Sequence, residues 1–181
     1  MKRMTVVAMA ICMIVSASVA SVRSQNVKKV NFTSTYTSTG KGCKTYGPPK
    51  EAPGTDPAFS CRGLKGYEVY IYYAAAAGFV GVHKWRARTD EASFTAPCGE
   101  FGDKVEWRLA DGKPFAVILR IGKYDGDTVN DYELCSKKHG SELLVKGLKG
   151  FEHIDAAIDG SDARANEKAR AAADEMFSKK P

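Results

Sequence analysis

The sequence contains no repeat at a period of roughly 20–50 residues, which excludes solenoids and propellers. Its 17 glycines follow no three-residue period, which excludes collagen. It has no Gly-x-Ser-x-Gly elbow, the strand–turn–helix setting of many serine nucleophiles. It has no Cys-x-x-Cys knuckle, so a zinc site has little to build on. Thr39-Gly40-Lys41-Gly42 lacks the Walker spacing of a phosphate cradle and reads as a flexible turn. Histidine is scarce, with only His83, His139 and His153, and they fall on three separate segments.

What is present fits an ordinary folded domain. The chain has 181 residues, 44% hydrophobic and 27% charged, too apolar for disorder. Lys2 and Arg3 precede an apolar run from Met4 to Val15 and a small-residue stretch from Ser16 to Ser21. This order predicts a secretory signal peptide over 1–20, with Ser18 and Ala20 in the two small subsites and cleavage after Ala20. The alternative, a membrane anchor, needs about 20 apolar residues, more than the run supplies. No transmembrane helix is expected in the mature chain 21–181. Cys12 has no lipobox ahead of a cleavage point. Losing Lys2 and Arg3 lowers the formal net charge of +6 by two.

The remaining cysteines are Cys43, Cys61, Cys98 and Cys135, an even number that in an exported chain reads as two disulfides. Three pairings are possible. Cys43–Cys61 with Cys98–Cys135 is the preferred one, because each pair encloses a single loop-and-strand excursion. The first would close over 47–54, too rich in Pro and Gly to hold itself by ladder hydrogen bonds. A metal site on Cys135 and His139 is the weaker alternative, since an oxidising compartment favours pairing. No metal and no cofactor are expected.

Periodicity gives the architecture. Strands are expected at Val30–Thr37, Tyr67–Tyr73, Phe79–Trp85, around Trp107, at Phe115–Ile121, Leu143–Val145 and Ile154–Ile158. Tyr67, Val69, Ile71 and Tyr73 share one face of the strongest strand, and Tyr70 and Tyr72 the other. Val105, Trp107 and Leu109 alternate with Glu106 and Arg108, which predicts one buried and one wet face. Asp111-Gly112 is a favoured hairpin turn. From Ser161, a candidate N-cap, the period becomes helical: Ala165, Ala169, Ala172, Ala173 and Met176 form a stripe, with Arg164, Lys168 and Arg170 expected in water. The expectation is an α+β domain: an antiparallel sheet of six to eight strands with one C-terminal helix packed on it. Residues 21–60 form an irregular lead with a Pro/Gly-rich loop, 61–158 a β-rich core and 161–178 the helix.

Several segments together resemble a family of small exported, periplasmic proteins of Gram-negative bacteria. They are Cys61-Arg62-Gly63-Leu64-Lys65-Gly66-Tyr67 with Val69-Tyr70, then Val105-Glu106-Trp107-Arg108, Pro114-Phe115-Ala116-x-Ile118-Leu119-Arg120 and the helix from Ala165 to Asp174. The resemblance implies an envelope location and a single domain, and it carries no activity and no catalytic residue. A further cysteine pair of that family is replaced here near Glu152 and His153 and at Phe177.

Residues able to carry chemistry are few. His83 sits in an alternating strand beside Phe79 and Trp85, where a structural histidine is the plainer reading. Asp125, Asp127, Asn130 and Asp131 crowd one turn and could hold calcium, but EF-hand spacing fails at Val129 and no Glu closes the loop. The basic residues Arg62, Lys65, Lys84, Arg86 and Arg88, with Lys137-Lys138 and Lys146–Lys149, favour anionic surfaces. Nucleic acid is not an expected partner of an exported chain that lacks the aromatic–basic spacing of an RNA-binding sheet. Tyr70, Tyr72, Trp85 and Trp107 are the candidate binding platform for a glycan or an envelope macromolecule. The leading expectation is a non-enzymatic binding protein, periplasmic or secreted, whose partner is a glycan or a wall enzyme. A small hydrolase using one histidine with Asp or Glu, and a structural envelope component, are the alternatives.

Overall fold

The computed structural model describes residues 29–46, 58–74, 77–87, 89–124, 135 and 137–179. The expected signal peptide over 1–20, the Pro/Gly-rich loop and the Asp125–Asp131 cluster lie outside the described residues. Among the described residues, ten strands and one helix follow in order: β1 Phe32–Ser38, β2 Lys44–Tyr46, β3 Ala58–Arg62, β4 Tyr67–Ala74, β5 Ala77–Lys84, β6 Ala92–Pro97, β7 Phe101–Ala110, β8 Lys113–Tyr124, β9 Lys138–Gly147, β10 Asp155–Asp159 and α1 Ala165–Ser178.

The strands form two sheets rather than the single sheet expected from the sequence. Sheet A has the order β1-β7-β8-β9-β10 and sheet B the order β2-β3-β4-β5-β6. Every pairing is antiparallel. The physical reason lies in β8, where Phe115, Ala116, Val117, Ile118 and Leu119 are all buried, so the strand needs cover on both faces. Val117, Leu119 and Ile121 pack with Val105 and Trp107 against Val69, Ile71, Val80, Val82 and Phe94 of sheet B. Ala116, Ile118, Leu143 and Val145 pack on the other side against Ala165, Ala169 and Ala173 of α1. The layers are sheet B, sheet A and helix. Within the stretch 21–60, assigned to an irregular lead, the described residues include β1, β2 and the start of β3.

The helix lies flat because its buried stripe is alanine at every fourth residue, which brings its backbone close to the sheet. It begins at Ala165, not at a cap on Ser161. The entering turn is held by Asp162, whose carboxylate accepts from the Arg164 amide at 2.7 Å and pairs with Lys168. At its far end Phe177 meets Phe32 edge-on, lies tilted against Phe115 and stacks on Phe151, at centroid separations of 5.4, 4.7 and 5.1 Å.

The face of β7 expected to be wet lies under this helix. Glu106 and Arg108 are buried, and a buried charge needs partners. Arg108 donates from Nε and Nη2 to the Asp174 carboxylate at 2.9 and 2.5 Å, and from Nη1 to Ser34 Oγ at 3.0 Å. Arg170, expected in water, donates to Glu106 at 2.6 Å and to the Tyr36 hydroxyl at 2.7 Å. The charges that appeared solvated in sequence are the polar seam between helix and sheet.

The disulfides join Cys43 to Cys61 and Cys98 to Cys135. The first ties the segment before β2 to β3, and the second ties the β6–β7 turn to the segment before β9. Cys135 is therefore not a metal ligand. Two disulfides mark an oxidising, non-cytoplasmic setting. No helix among the described residues is long and apolar enough to cross a membrane.

Candidate functional site

The face of sheet B turned away from the core carries an unusual set of side chains. Directly opposed residues of neighbouring strands share a face, and the register builds three rows. One row runs Lys44, Ser60, Tyr70, Gly81 and Ser93. The next runs Arg62, Glu68 and His83. The third places Tyr72 opposite Phe79, stacked at 4.8 Å and 12°. Tyr46 stands on the edge strand β2 beside them, close enough that it and Tyr72 join burial in raising the Tyr70 hydroxyl above its ordinary pKa. Tyr46 and Tyr72 are exposed, at 46% and 40%.

At the Arg62–Glu68 end the face deepens into a cleft of about 550 Å³. Tyr46 and Trp85 line it, Ser60 and Glu68 lie between, and Lys44, Arg62 and Lys65 bring positive charge. Trp85 is 57% exposed, held at the end of β5 by its amide donating to the Gly66 carbonyl at 2.8 Å. Behind it Tyr67 is pinned: its hydroxyl donates to Glu91 at 2.8 Å and the Lys84 ammonium lies 3.5 Å from its ring centre. Burial first, then Glu91, drives the Tyr67 hydroxyl well above the ordinary tyrosine range. Gly63 is obligatory at the cleft, since a Cβ there would meet the Tyr67 carbonyl at 2.8 Å and the Trp107 ring at 3.0 Å.

A polar chain runs from the cleft across the sheet. Ser60 donates to one Glu68 oxygen, and the other lies 3.4 Å from His83 Nε2. His83 Nδ1 is 2.9 Å from Asp90. Asp90 reaches over β5 only because residue 81 is glycine, where a Cβ would fall 2.4 Å from the carboxylate. Glu68, not His83, faces the cleft.

Of the expected platform, Tyr70 and Tyr72 lie together on this face and Trp85 stands at the cleft. Trp107 does not belong to it. It is fully buried between the sheets, because it shares strand parity with Val105 and Leu109, and its indole N–H donates to Thr37 Oγ1 at 2.8 Å. The three histidines are not brought into one site. His83 is on β5, His139 is exposed on β9, and His153 in the β9–β10 turn contacts the Met176 carbonyl at 3.1 Å. Of the basic residues noted in the sequence, Arg62 and Lys65 reach the cleft and Arg88 lies outside the described residues. Lys44, Tyr46, Ser60, Glu68 and Asp90 were not anticipated. Glu68 did leave a signal, as the one charged residue in the otherwise aromatic and β-branched run of β4. Among the described residues no group of three or more His, Cys, Asp or Glu is placed to hold a metal ion.

Comparison of the chain with protein-family models, with curated proteins and with solved structures finds no match. The site rests on its own geometry.

Proposed function

We propose that this is an exported, non-enzymatic binding protein of the bacterial envelope, periplasmic or secreted, that holds a glycan on the outer face of sheet B. The observation that carries this reading is the exposure of Tyr46 and Trp85 in the lining of one cleft, with Tyr72 exposed on the same face of the sheet. Large aromatics in a patch on an otherwise covered surface mark a binding site, and a flat ring with a polar neighbour suits the apolar face and hydroxyl edge of a sugar. Export is supported by the basic–apolar–small order of residues 1–20 together with two disulfides.

The test is a glycan array probed with the oxidised protein, followed by isothermal titration with the glycans that bind. At least one glycan class binds, and Tyr72→Ser and Trp85→Ser weaken it several-fold while the melting temperature is kept. An array without binders, or variants that bind as the parent does, overturns the reading. N-terminal sequencing of the exported protein checks the compartment, with Ser21 as the expected first residue.

A hydrolase is the second reading, favoured by the Ser60–Glu68–His83–Asp90 chain beside the cleft. It requires release of reducing ends from a bound glycan, abolished by Glu68→Gln with binding intact.

A further inference from the structure

We infer that the cleft is built for an acidic glycan, a chain of carboxylated sugars of the uronic-acid type. The inference rests on the glycan reading above and names its ligand class.

Lys44, Arg62 and Lys65 line one cleft, and among the described residues none of the three has a carboxylate within ion-pair distance. Four other lysines are neutralised by acids, Lys138 by Glu100, Lys146 by Asp155, Lys168 by Asp162 and Lys179 by Glu175, while Lys41, Lys104, Lys113 and Lys149 are exposed without such a pair among the described residues. What sets Lys44, Arg62 and Lys65 apart is that they converge on one cleft. Lys65 does donate to the Gly112 carbonyl, but that neutral acceptor leaves its charge uncancelled. Three cations lining one concavity, against Glu68 as the single acid among its described lining residues, raise the local concentration of anions and steer them in.

The rest of the cleft decides which anion. Tyr46 and Trp85 present flat rings on which a pyranose can lie, which a bare phosphate or a small inorganic anion would not use. Between them Ser60 and the Glu68 carboxylate form a polar floor. A carboxylate has no proton to give at neutral pH, so Glu68 accepts, and its partners must be donors. Sugar hydroxyls are such donors. Glu68 also repels a ligand whose every edge is anionic. A uronate meets all three demands: one carboxylate per ring for the cations, free hydroxyls for Glu68, and an apolar ring face for the aromatics. A densely sulfated chain has the charge but few hydroxyls left to donate.

The test is isothermal titration of the oxidised full-length mature protein at low and at physiological salt. The probes are an oligogalacturonate, a neutral chito-oligosaccharide and a sulfated heparin oligosaccharide. The oligogalacturonate binds best, and its affinity falls as salt rises. Lys44→Gln, Arg62→Gln and Lys65→Gln each weaken it by about two- to fivefold, as exposed single charges do, and the triple variant by about tenfold or more. Arg62→Lys retains most of the affinity. Glu68→Gln improves binding of the sulfated chain relative to the uronate. Equal or better binding of the neutral chain overturns the acidic assignment while leaving the glycan reading standing. Preference of the parent protein for the sulfated chain overturns the choice of carboxylate. If no sugar binds, the glycan reading itself fails.

Discussion

Trp107 and Trp85 show how much one side chain's environment depends on the strand beneath it. Both are strand aromatics in sequence, yet one is sealed between the sheets and the other stands in solvent. Parity with Val105 and Leu109 was legible and assigns Trp107 to the interior. Which face of β4 is exposed was not legible, because Tyr70 and Tyr72 could as well have packed against a second layer. Burial of Trp107 also makes Thr37 indispensable, since the Thr37 hydroxyl is the acceptor for the indole N–H. Thr37→Val keeps the shape and leaves a buried donor unpaired, at a cost of about 1–3 kcal/mol. Urea unfolding monitored by circular dichroism measures it. A loss below a few tenths of a kcal/mol would show that the bond contributes little.

At the scale of elements, the strands with long alternating or continuous apolar runs were readable: β1, β4, β5, β7 and β8 fall where the pattern puts them. β2 is three exposed residues with no period to detect. β3 and β6 are short, and their small residues Ala58, Ser60, Ala92 and Ala96 give little hydrophobic contrast. The helix was evident, but its landing site was not, so Glu106 and Arg108 appeared to face water. Covered by α1, they form a seam whose worth is testable. Arg108→Met strands Asp174 and removes a donor from Ser34. Because Asp174 keeps about a quarter of its side chain in solvent (23%), the cost lies below that of a fully buried pair, at about 2–3 kcal/mol. The double variant Arg108→Met with Asp174→Leu removes both charges and recovers a good part of that loss. A double-mutant cycle in urea reads the coupling. Additive single effects would show that the two side chains are close without being energetically linked.

For the whole molecule, the sequence supports the class of architecture, with mostly antiparallel strands and one terminal helix, but not the count of sheets. That count depends on which strands pair over long separations. β1 pairs with β7 across more than sixty intervening residues, and such pairing leaves no local trace. The disulfides close segments with sequence separations of 18 and 37, worth about 3 and about 4 kcal/mol in the chain-entropy account. Reduction under native conditions therefore lowers the urea midpoint markedly, and Cys98→Ala with Cys135→Ala alone lowers it more than Cys43→Ala with Cys61→Ala.

Stability also depends on pH at both ends, for opposite reasons. Hydrogen bonds from Lys138 and Tyr124 hold Glu100 below its ordinary value of 4.5. A carboxyl depressed in the fold favours the folded state above its unfolded pKa, and that contribution is lost as pH falls through the folded value. On the alkaline side the hydrogen bond to Glu100, followed by burial, pushes Tyr124 up to about 12, and Tyr67 lies higher still. The fold thus keeps protons that the unfolded chain releases from pH 10 upward, and stability declines between pH 10 and about 12. Melting temperatures across pH 3–12 should form a plateau that falls at both edges. Glu100→Gln removes its own share of the acid-side loss, leaving the shares of Glu152, Asp159, Asp162 and Glu175, whose carboxyls are also held low, and it returns Tyr124 toward ordinary titration in the tyrosinate absorbance. A Tyr124 titration unchanged by Glu100→Gln would mean that burial alone protects the phenol.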